Sequence, residues 1–303
     1  MTLDPSTTAP KPLHSQCSNK PFADAQALME MRVSKFNSNV ARALEAMDEE
    51  MAADPSYAKP DETAFVSLQD QLLVCKVYET KISVYIKAFK LDEAVHATSV
   101  SLFKRFYLHQ SIFNHDPRII LITCIFLAAK AENSYIPLSD FLLKVPQSSR
   151  PEKEAVWEKE LIVADTVGFA FTVQHVHWPL HGLFLDLQTF YATKYPLLDQ
   201  RKTALNSLAR IYARARELSQ IATCTDLQLT HWGSQIALGC FLLASTEQGQ
   251  NARSDFEQYL SFRISWVDTD TLVGLHEKLG QVTDAIKAQK EFEDMAKDAN
   301  SLL

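Results

Sequence analysis

The first glycine of this 303-residue chain is Gly168, and only seven glycines are present in all. Glycine supplies the left-handed conformations of tight turns and the close backbone approach of phosphate-binding loops. Its absence from residues 1–167 argues against a β-rich fold and against a glycine-rich nucleotide loop in the first half. The hydrophobic content of 47% and charged content of 22% are typical of a globular protein. The expected fold class is all-α.

Prolines divide the chain into segments whose apolar residues recur at helical spacing. Residues 1–21 contain four prolines and are predicted to form a disordered tail. Residues 22–52 predict an N-terminal amphipathic helix, because their apolar side chains recur every three or four positions and form one stripe. The stripe comprises Met29, Val33, Phe36, Val40, Leu44, Met47 and Met51.

Five further helices are predicted in a first group, and the third of them organises the rest. It begins at Pro117 with Asp116 as its cap, and it is apolar on nearly every side from Ile119 to Leu127. A helix without a polar face must be surrounded by other helices. The predicted segments are about Leu68–Lys90, Glu93–Gln110, Pro117 onwards, Ser139–Lys144 and Glu152–Val167.

A second group of five helices repeats this organisation. Its third helix contains the apolar run Ile236–Leu243 and is again predicted to be buried. Two groups built around an apolar third helix suggest a structural duplication of roughly a hundred residues. The predicted segments are about Pro179–Tyr191, Leu198–Ser219, Thr230–Thr246, Ser254–Phe262 and Thr269–Ala296.

Charge and cysteine content exclude several classes of function. The chain carries 30 Lys and Arg against 37 Asp and Glu, a net charge of −7, which disfavours broad binding to nucleic acid or anionic membranes. None of the five cysteines forms a CxxC pair, so no zinc ribbon is predicted. The longest apolar stretch, Ile119–Ala131, is too short to span a bilayer.

The sequence contains few groups that could carry catalysis. It has no nucleophile elbow, Walker loop or HExxH motif. His175 and His177 lack a third ligand at metal-binding spacing, so they are predicted to be a loop or surface pair. The basic and aromatic run Lys104–Tyr107 is interpreted as the cationic last turn of a helix. We infer that the chain works by binding.

Two charged residues stand out among apolar neighbours. Lys130 ends the central helix of the first group, and Glu160 lies in the fifth helix beside Trp157 and Val163. A buried charge without a partner would be costly, so each must reach solvent or a partner. Patterning alone favours solvent for both residues.

Seven blocks of sequence follow one another in a recognisable order. Four lie in the first group: Phe103–Leu108, Ser111-Ile112, Asp116–Ile120 and Thr123–Lys130. Three lie in the second group: Gly182–Leu187, Thr225–Leu227 and Ser234–Leu238. The first four resemble the first cyclin box and the other three resemble the second repeat, so the chain resembles the cyclin family, most closely the cyclin H subfamily. The similarity covers roughly residues 25–290 and is specific as an ordered combination of blocks.

The resemblance implies two tandem five-helix cyclin folds with an extra N-terminal helix. The expected boundaries are 60–172 for the first fold, 178–292 for the second and 293–303 for a C-terminal extension. The resemblance also implies that the Lys130 and Glu160 side chains hydrogen-bond a kinase near its αC helix, whose position controls kinase activity. Kinase-facing apolar roles follow for Leu127, Ala131, Phe169 and Phe171.

By this resemblance the chain is expected to be a non-catalytic, nuclear subunit that activates a cyclin-dependent kinase. The complex would include a RING-finger assembly subunit and would phosphorylate the activation segments of other cyclin-dependent kinases. Within transcription factor IIH it would phosphorylate the C-terminal repeats of RNA polymerase II. The kinase would bind ATP and Mg²⁺, so the chain itself needs no cofactor or metal. It is expected to bind neither nucleic acid nor membrane.

Three alternatives are considered beside this expectation. The chain could be another transcriptional cyclin with a different kinase partner. It could be an adaptor of the TFIIB type, although that class usually needs a zinc ribbon and a basic face, which the cysteine pattern and the net charge argue against. The third alternative is an unrelated helical enzyme, for which no site is found.

Overall fold

The structure is a computed structural model that describes residues 22–53, 66–265 and 268–301. The described residues form twelve α-helices and one 3-10 turn without any β-strand, which confirms the all-α prediction. The predicted tail, residues 1–21, lies outside them. The helices are α1 Ala25–Ala53, α2 Leu68–Phe89, α3 Glu93–His109, α4 Pro117–Ala131, α5 Leu138–Leu143, α6 Lys153–Thr166, α7 His177–Lys194, α8 Leu198–Thr223, α9 Leu227–Thr230, α10 Gly233–Gln248, α11 Gln250–Arg263 and α12 Thr269–Ser301.

Helix α4 lies at the centre of the first group, as predicted. Every residue from Ile120 to Ala129 is buried, and α4 packs against α2, α3 and α6. The helix begins where the sequence places its start, because the Asp116 carboxylate accepts a hydrogen bond from the backbone N–H of Arg118 at 2.9 Å. Pro117 occupies the first turn, where no backbone donor is needed.

The second group surrounds α10 in the same way. Ile236, Ala237 and Phe241 are each at most 1% exposed, and α10 packs against α7, α8, α11 and α12. The helix begins at Gly233 rather than at the predicted Thr230. His231 is extended, with φ −129° and ψ 151°, so it separates the single turn α9 from α10. Local backbone conformation therefore moves this boundary by three residues.

Gly239 of α10 permits close packing against α12. A Cβ atom at this position would overlap the Val282 side chain. Gly239→Ala is therefore expected to lower the free energy of unfolding by about 1–3 kcal/mol, the usual cost of overpacking a core. Thermal unfolding followed by circular dichroism would measure the loss.

Gly280→Ala in α12 is the matched control, because no atom lies within 4 Å of a Cβ built there. It should leave stability unchanged or raise it by up to about 1 kcal/mol through helix propensity. Equal effects of the two substitutions would contradict the close packing.

Helix α1 docks through a face that overlaps the predicted stripe and includes residues outside it. Leu28 is buried in a small cluster with Leu108 and Leu229, and the buried Asn39 side chain donates a hydrogen bond to the His109 carbonyl at 3.1 Å. Met29, on the predicted stripe, is 44% exposed. Four other stripe residues between Phe36 and Met47 are half-buried. Polar anchors as well as apolar side chains therefore hold α1 to the other helices.

The last helix extends further than predicted. Helix α12 continues to Ser301, so residues 293–301, which were assigned to a C-terminal extension, are part of the helix. Its distal half reaches back to the first group, where the Lys76 ammonium of α2 lies 4.2 Å from the centre of the Phe292 ring. Helix α12 therefore contacts both helical groups.

A buried charge network joins α1 to both groups. Lys104 of α3 pairs with Glu79 of α2, and their side chains are 4% and 7% exposed. Lys104 Nζ also lies 3.3 Å from Asp226 Oδ1, while the Arg32 guanidinium of α1 donates hydrogen bonds of 2.8 and 2.9 Å to Asp226. The interpretation of Lys104 as part of the cationic last turn of a helix is corrected, because α3 continues to His109 and Lys104 is covered by α2 and the segment at Asp226.

Candidate functional site

A groove of about 460 Å³ lies between the end of α4, helix α6 and the segment that follows α6. It brings together all six residues for which the sequence predicts a role in binding. Three further residues of α6 complete its wall. The lining residues are Leu127, Lys130, Ala131, Trp157, Glu160, Leu161, Ala164, Phe169 and Phe171. We call this feature the α4–α6 groove.

Helical spacing aligns the α4 side of the groove. Leu127, Lys130 and Ala131 are three and four positions apart, so they share one face of the last turn of α4. Leu127 is 6% exposed and belongs to the core of the first group, whereas Lys130 and Ala131 are exposed. The groove thus has a floor continuous with the core and a rim open to solvent.

Lys130 and Glu160 form an ion pair with each other at the edge of the groove. Lys130 Nζ lies 2.5 Å from Glu160 Oε1, and the side chains are 36% and 25% exposed. The same ammonium lies 4.5 Å from the centre of the Phe126 ring. Patterning predicted that each charge would be solvated separately. The pairing leaves the remaining donors and acceptors of both groups available to a partner.

Phe169 and Phe171 are displayed by a turn that the rest of the fold fixes. Gly168 and Phe169 both have positive φ, at 64° and 55°, which for Phe169 is an unfavourable conformation that its surroundings must hold. The Arg105 guanidinium does so by donating hydrogen bonds to the carbonyls of Val167 and Ala170 at 2.8 and 2.6 Å. Phe169 is 58% exposed as a result.

Two exposed residues of the groove were not predicted as site residues. Trp157 is 51% exposed and Leu161 is 66% exposed, although both are large and apolar. Their sequence signal is weak but present, because they lie three positions before and one position after Glu160 on α6. An exposed apolar pair beside a charged residue is a feature of interaction surfaces.

The chemistry of the groove suits binding. Its nine lining residues include no histidine, cysteine, serine or threonine side chain. In the part of the chain that the structure describes, no three His, Cys, Asp or Glu side chains are grouped for a metal ion, and no helix is long and apolar enough to cross a membrane. An apolar groove with an ion pair on its rim fits the apolar face of a partner helix.

Two curated cyclins are similar in sequence to this chain. The Xenopus laevis protein named Cyclin-H is 29% identical over 212 residues, which cover 68% of this chain and 62% of the relative. Cyclin CCL1 of Saccharomyces cerevisiae is 30% identical over 178 residues, covering 59% of this chain and 42% of the relative. The chain thus matches about half the length of these curated relatives.

Solved structures share the fold. A chain of the CAK complex from Chaetomium thermophilum bound to ATP-gamma-S has a TM-score of 0.74 at 22% identity, covering 90% of this chain and 78% of that one. A chain of the yeast TFIIK (Kin28/Ccl1/Tfb3) complex has a TM-score of 0.66 at 25% identity, covering 90% and 98%. Both likenesses extend across the two helical groups.

Two family models match consecutive parts of the chain. The model described as cyclin, N-terminal domain, matches residues 64–172. The model described as cyclin C-terminal domain matches residues 175–292. The first matched region contains α2–α6 and the α4–α6 groove, and the second contains most of the helices around α10. With the relatives and the shared fold, these matches establish that the chain belongs to the cyclin family.

Proposed function

We propose that this cyclin is a non-catalytic regulatory subunit that binds and activates a cyclin-dependent kinase. The observation that carries the proposal is the convergence of all six predicted binding residues on the α4–α6 groove. Those residues come from two helices and the turn after α6, so their convergence was not guaranteed by sequence spacing. The groove has an apolar floor and the Lys130–Glu160 pair at its edge.

The groove would act by binding one arrangement of the kinase better than another. A kinase is active when its αC helix brings a glutamate to the lysine of strand β3. A partner shifts such an equilibrium only by its difference in affinity for the two states. Moving a kinase from mostly inactive to mostly active requires about 5.5 kcal/mol of that difference. The exposed Trp157, Leu161 and Phe169 side chains offer apolar area for this purpose.

The relatives support a more specific proposal, that the chain serves a CDK-activating kinase. Its similarity to Cyclin-H and to Cyclin CCL1 supports this subfamily, and the TFIIK complex contains Ccl1 together with Kin28 and Tfb3. By analogy the complex would hold a kinase and a RING-finger assembly subunit, and it would associate with the core of transcription factor IIH in the nucleus. Its substrates would be the activation segments of cyclin-dependent kinases and the RNA polymerase II repeats.

A second candidate is a transcriptional cyclin with a different kinase. Cyclin-C1-2 of Arabidopsis thaliana is 26% identical over 198 residues and is covered over 72% of its own length, more than the Xenopus and yeast relatives. The matched region therefore spans most of Cyclin-C1-2, which indicates that this chain shares its cyclin core with Cyclin-C1-2 as well as with Cyclin-H. The identity of the kinase distinguishes the two candidates.

The test is a kinase assay on purified components. The chain would be combined with the kinase from its own organism that is most similar to Kin28. We expect no phosphorylation of a peptide substrate by the chain alone, weak phosphorylation by the kinase alone, and strong phosphorylation by the mixture. A mixture no more active than the kinase alone would contradict the proposal, as would ATP turnover by a kinase-free preparation of the chain.

A further inference from the structure

A stripe of uncharged residues runs along α2 for about four turns, opposite the buried side of the helix. Leu73 is 53% exposed and Val84 is 64% exposed, and Ala88 is exposed as well. The members are three or four positions apart, so they share one face, while Ile82 and Ile86 lie on the buried side. We call this stripe the outward face of α2. It comprises Leu73, Val77, Thr80, Val84 and Ala88.

The residues on the outward face do not serve the stability of α2 itself. Three of the five are β-branched, and such residues rank below lysine, glutamate and alanine at exposed helix positions. The Thr80 hydroxyl donates a hydrogen bond to the Val77 carbonyl at 2.8 Å, so its donor is used within the helix. The long surface helix α8 instead exposes polar residues such as Asn206, Arg210 and Glu217. An exposed apolar stripe on a surface helix is a feature of interaction surfaces.

Lysines flank the outward face on both sides. Helical spacing places Lys76 and Lys87 along one edge and Lys81 along the other. The Lys76 ammonium lies 4.2 Å from the centre of the Phe292 ring, and the Lys81 ammonium lies 4.7 Å from the centre of the Tyr78 ring. Among the described residues, no carboxylate forms an ion pair with any of these three lysines.

The carboxylates on and beside α2 have other partners. Asp70 accepts a hydrogen bond from the Ser67 hydroxyl at the start of the helix, and Glu79 is buried with Lys104. Glu293, next to Phe292 in α12, accepts a hydrogen bond of 3.1 Å from another side chain of α12. Although the whole chain has a net charge of −7, the edges of the outward face therefore present ammonium groups that are available to a partner.

Charge complementarity indicates which partner fits this surface. An amphipathic helix docks on an apolar surface through side chains at helical spacing, and acidic residues beside its apolar stripe would meet the flanking lysines. A second copy of this chain would bring the same lysines against each other, which is repulsive. Nucleic acid is bound mainly by cations placed against phosphates, whereas the centre of this surface is apolar. The surface therefore favours an acidic amphipathic helix.

We propose that the outward face of α2 binds an amphipathic helix of another protein, whose apolar stripe is flanked by aspartate and glutamate residues. The apolar side chains of that helix pack on Leu73, Val77 and Val84, and its carboxylates pair with Lys81 and Lys87. No residue of the outward face lines the α4–α6 groove, so this partner and the kinase use separate surfaces. The inference goes beyond the proposed function and does not depend on it.

The first experiment titrates three designed helical peptides with the full-length chain and follows fluorescence anisotropy. The peptides share one leucine stripe and differ only beside it, where they carry glutamate, glutamine or lysine. The glutamate peptide should bind about ten-fold more tightly than the lysine peptide, and added salt should reduce this difference because it screens the charges. Equal affinities of the three peptides, or binding of none, would overturn the inference.

Variants of the full-length chain locate the site. Val84→Glu should weaken binding of the glutamate peptide by about ten-fold, because it places a like charge in the apolar contact. Lys81→Gln and Lys87→Gln should each weaken it by about two- to five-fold. Leu143→Glu is the matched control, because Leu143 lies on α5 of the first group and is 68% exposed. The affinity of this control should remain within about two-fold of the wild type, and circular dichroism would verify folding.

Amide chemical shifts read the contact directly. Binding of the glutamate peptide should shift the resonances of Leu73, Val77 and Val84 more than those of residues in the α4–α6 groove. Larger shifts in the groove, or an unchanged affinity of Val84→Glu, would overturn the inference. Tighter binding of a single-stranded oligonucleotide than of the glutamate peptide in the same buffer would also overturn it and would assign the surface to nucleic acid.

Discussion

Replacement of Lys104 by methionine is expected to lower the free energy of unfolding by about 3–5 kcal/mol. The substitution keeps much of the side-chain volume but leaves the Glu79 carboxylate, which is 7% exposed, without its cation. An uncompensated buried charge is among the most destabilising results of a single substitution. Urea unfolding followed by circular dichroism would measure the loss.

The double variant Glu79→Leu/Lys104→Met separates the cost of an orphaned charge from the value of the pair. Buried ion pairs replaced by apolar residues of similar volume are often nearly neutral. The double variant should therefore be clearly more stable than Lys104→Met alone. Arg118→Met is the surface control, because Arg118 pairs with Asp116 while 66% exposed, and it should cost far less than Lys104→Met. Equal losses from Lys104→Met and Arg118→Met would contradict the buried network.

The pKa values of the buried charges determine how the stability loss of Lys104→Met depends on pH. Burial lowers the pKa of Lys104, but the Glu79 and Asp226 carboxylates outweigh it, so the pKa lies above its ordinary value. Burial raises the pKa of Asp226, yet the Lys104 ammonium and the Arg32 guanidinium hold it well below its usual range. The charge on Lys104 contributes fully to the free energy of unfolding below the pKa of lysine in the unfolded chain, about 10.4. The charge on Asp226 contributes fully above the pKa of aspartate in the unfolded chain, about 3.9. Burial raises the pKa of Glu79 above its ordinary value even beside Lys104, and removal of the ammonium raises that pKa further. The orphaned carboxyl is protonated in more of the folded molecules at low pH, so the Lys104→Met loss should be larger at pH 8 than at pH 6.

Lys130→Ala and Glu160→Ala are each expected to weaken kinase binding by about 2–5 kcal/mol, with the fold intact. In the free chain the two side chains pair with each other at 2.5 Å while they are partly exposed. Binding of a partner would remove that exposure, and each substitution would then leave the other charge desolvated and unpaired. Isothermal titration with the kinase most similar to Kin28 would measure the affinities, and circular dichroism would verify folding.

A double-mutant cycle on this pair makes the prediction sharper. If the two charges act together on the kinase, the loss in Lys130→Ala/Glu160→Ala should be smaller than the sum of the single losses. Lys194→Ala is the matched control, because Lys194 pairs with Asp255 at 2.5 Å in the second group with similar exposure. Binding that is unchanged in both single variants, or reduced equally in the control, would show that the α4–α6 groove is not the kinase-binding surface.

The helices were predictable because their signals are local. Pro117 and Asp116 start α4, and the nearly continuous apolar run from Ile119 to Leu127 predicted its central position. Where a boundary was missed, as at Gly233, the cause was the extended conformation of His231, which leaves no signature in apolar spacing. The six predicted site residues came from resemblance to the cyclin family, and the structure brings them together in one groove. Their contact with a kinase remains a prediction.

Contacts between residues that are distant in sequence were decided only by the tertiary structure. Lys104 and Glu79 lie 25 positions apart and Lys130 and Glu160 lie 30 apart, so no periodicity could show that one pair is buried and the other lies at a groove edge. The sequence by itself determined the all-α class, the two helical groups and their central helices. Those depend on hydrophobic spacing, proline and glycine within one or two turns, whereas the burial of a charge or the docked face of α1 depends on what packs opposite.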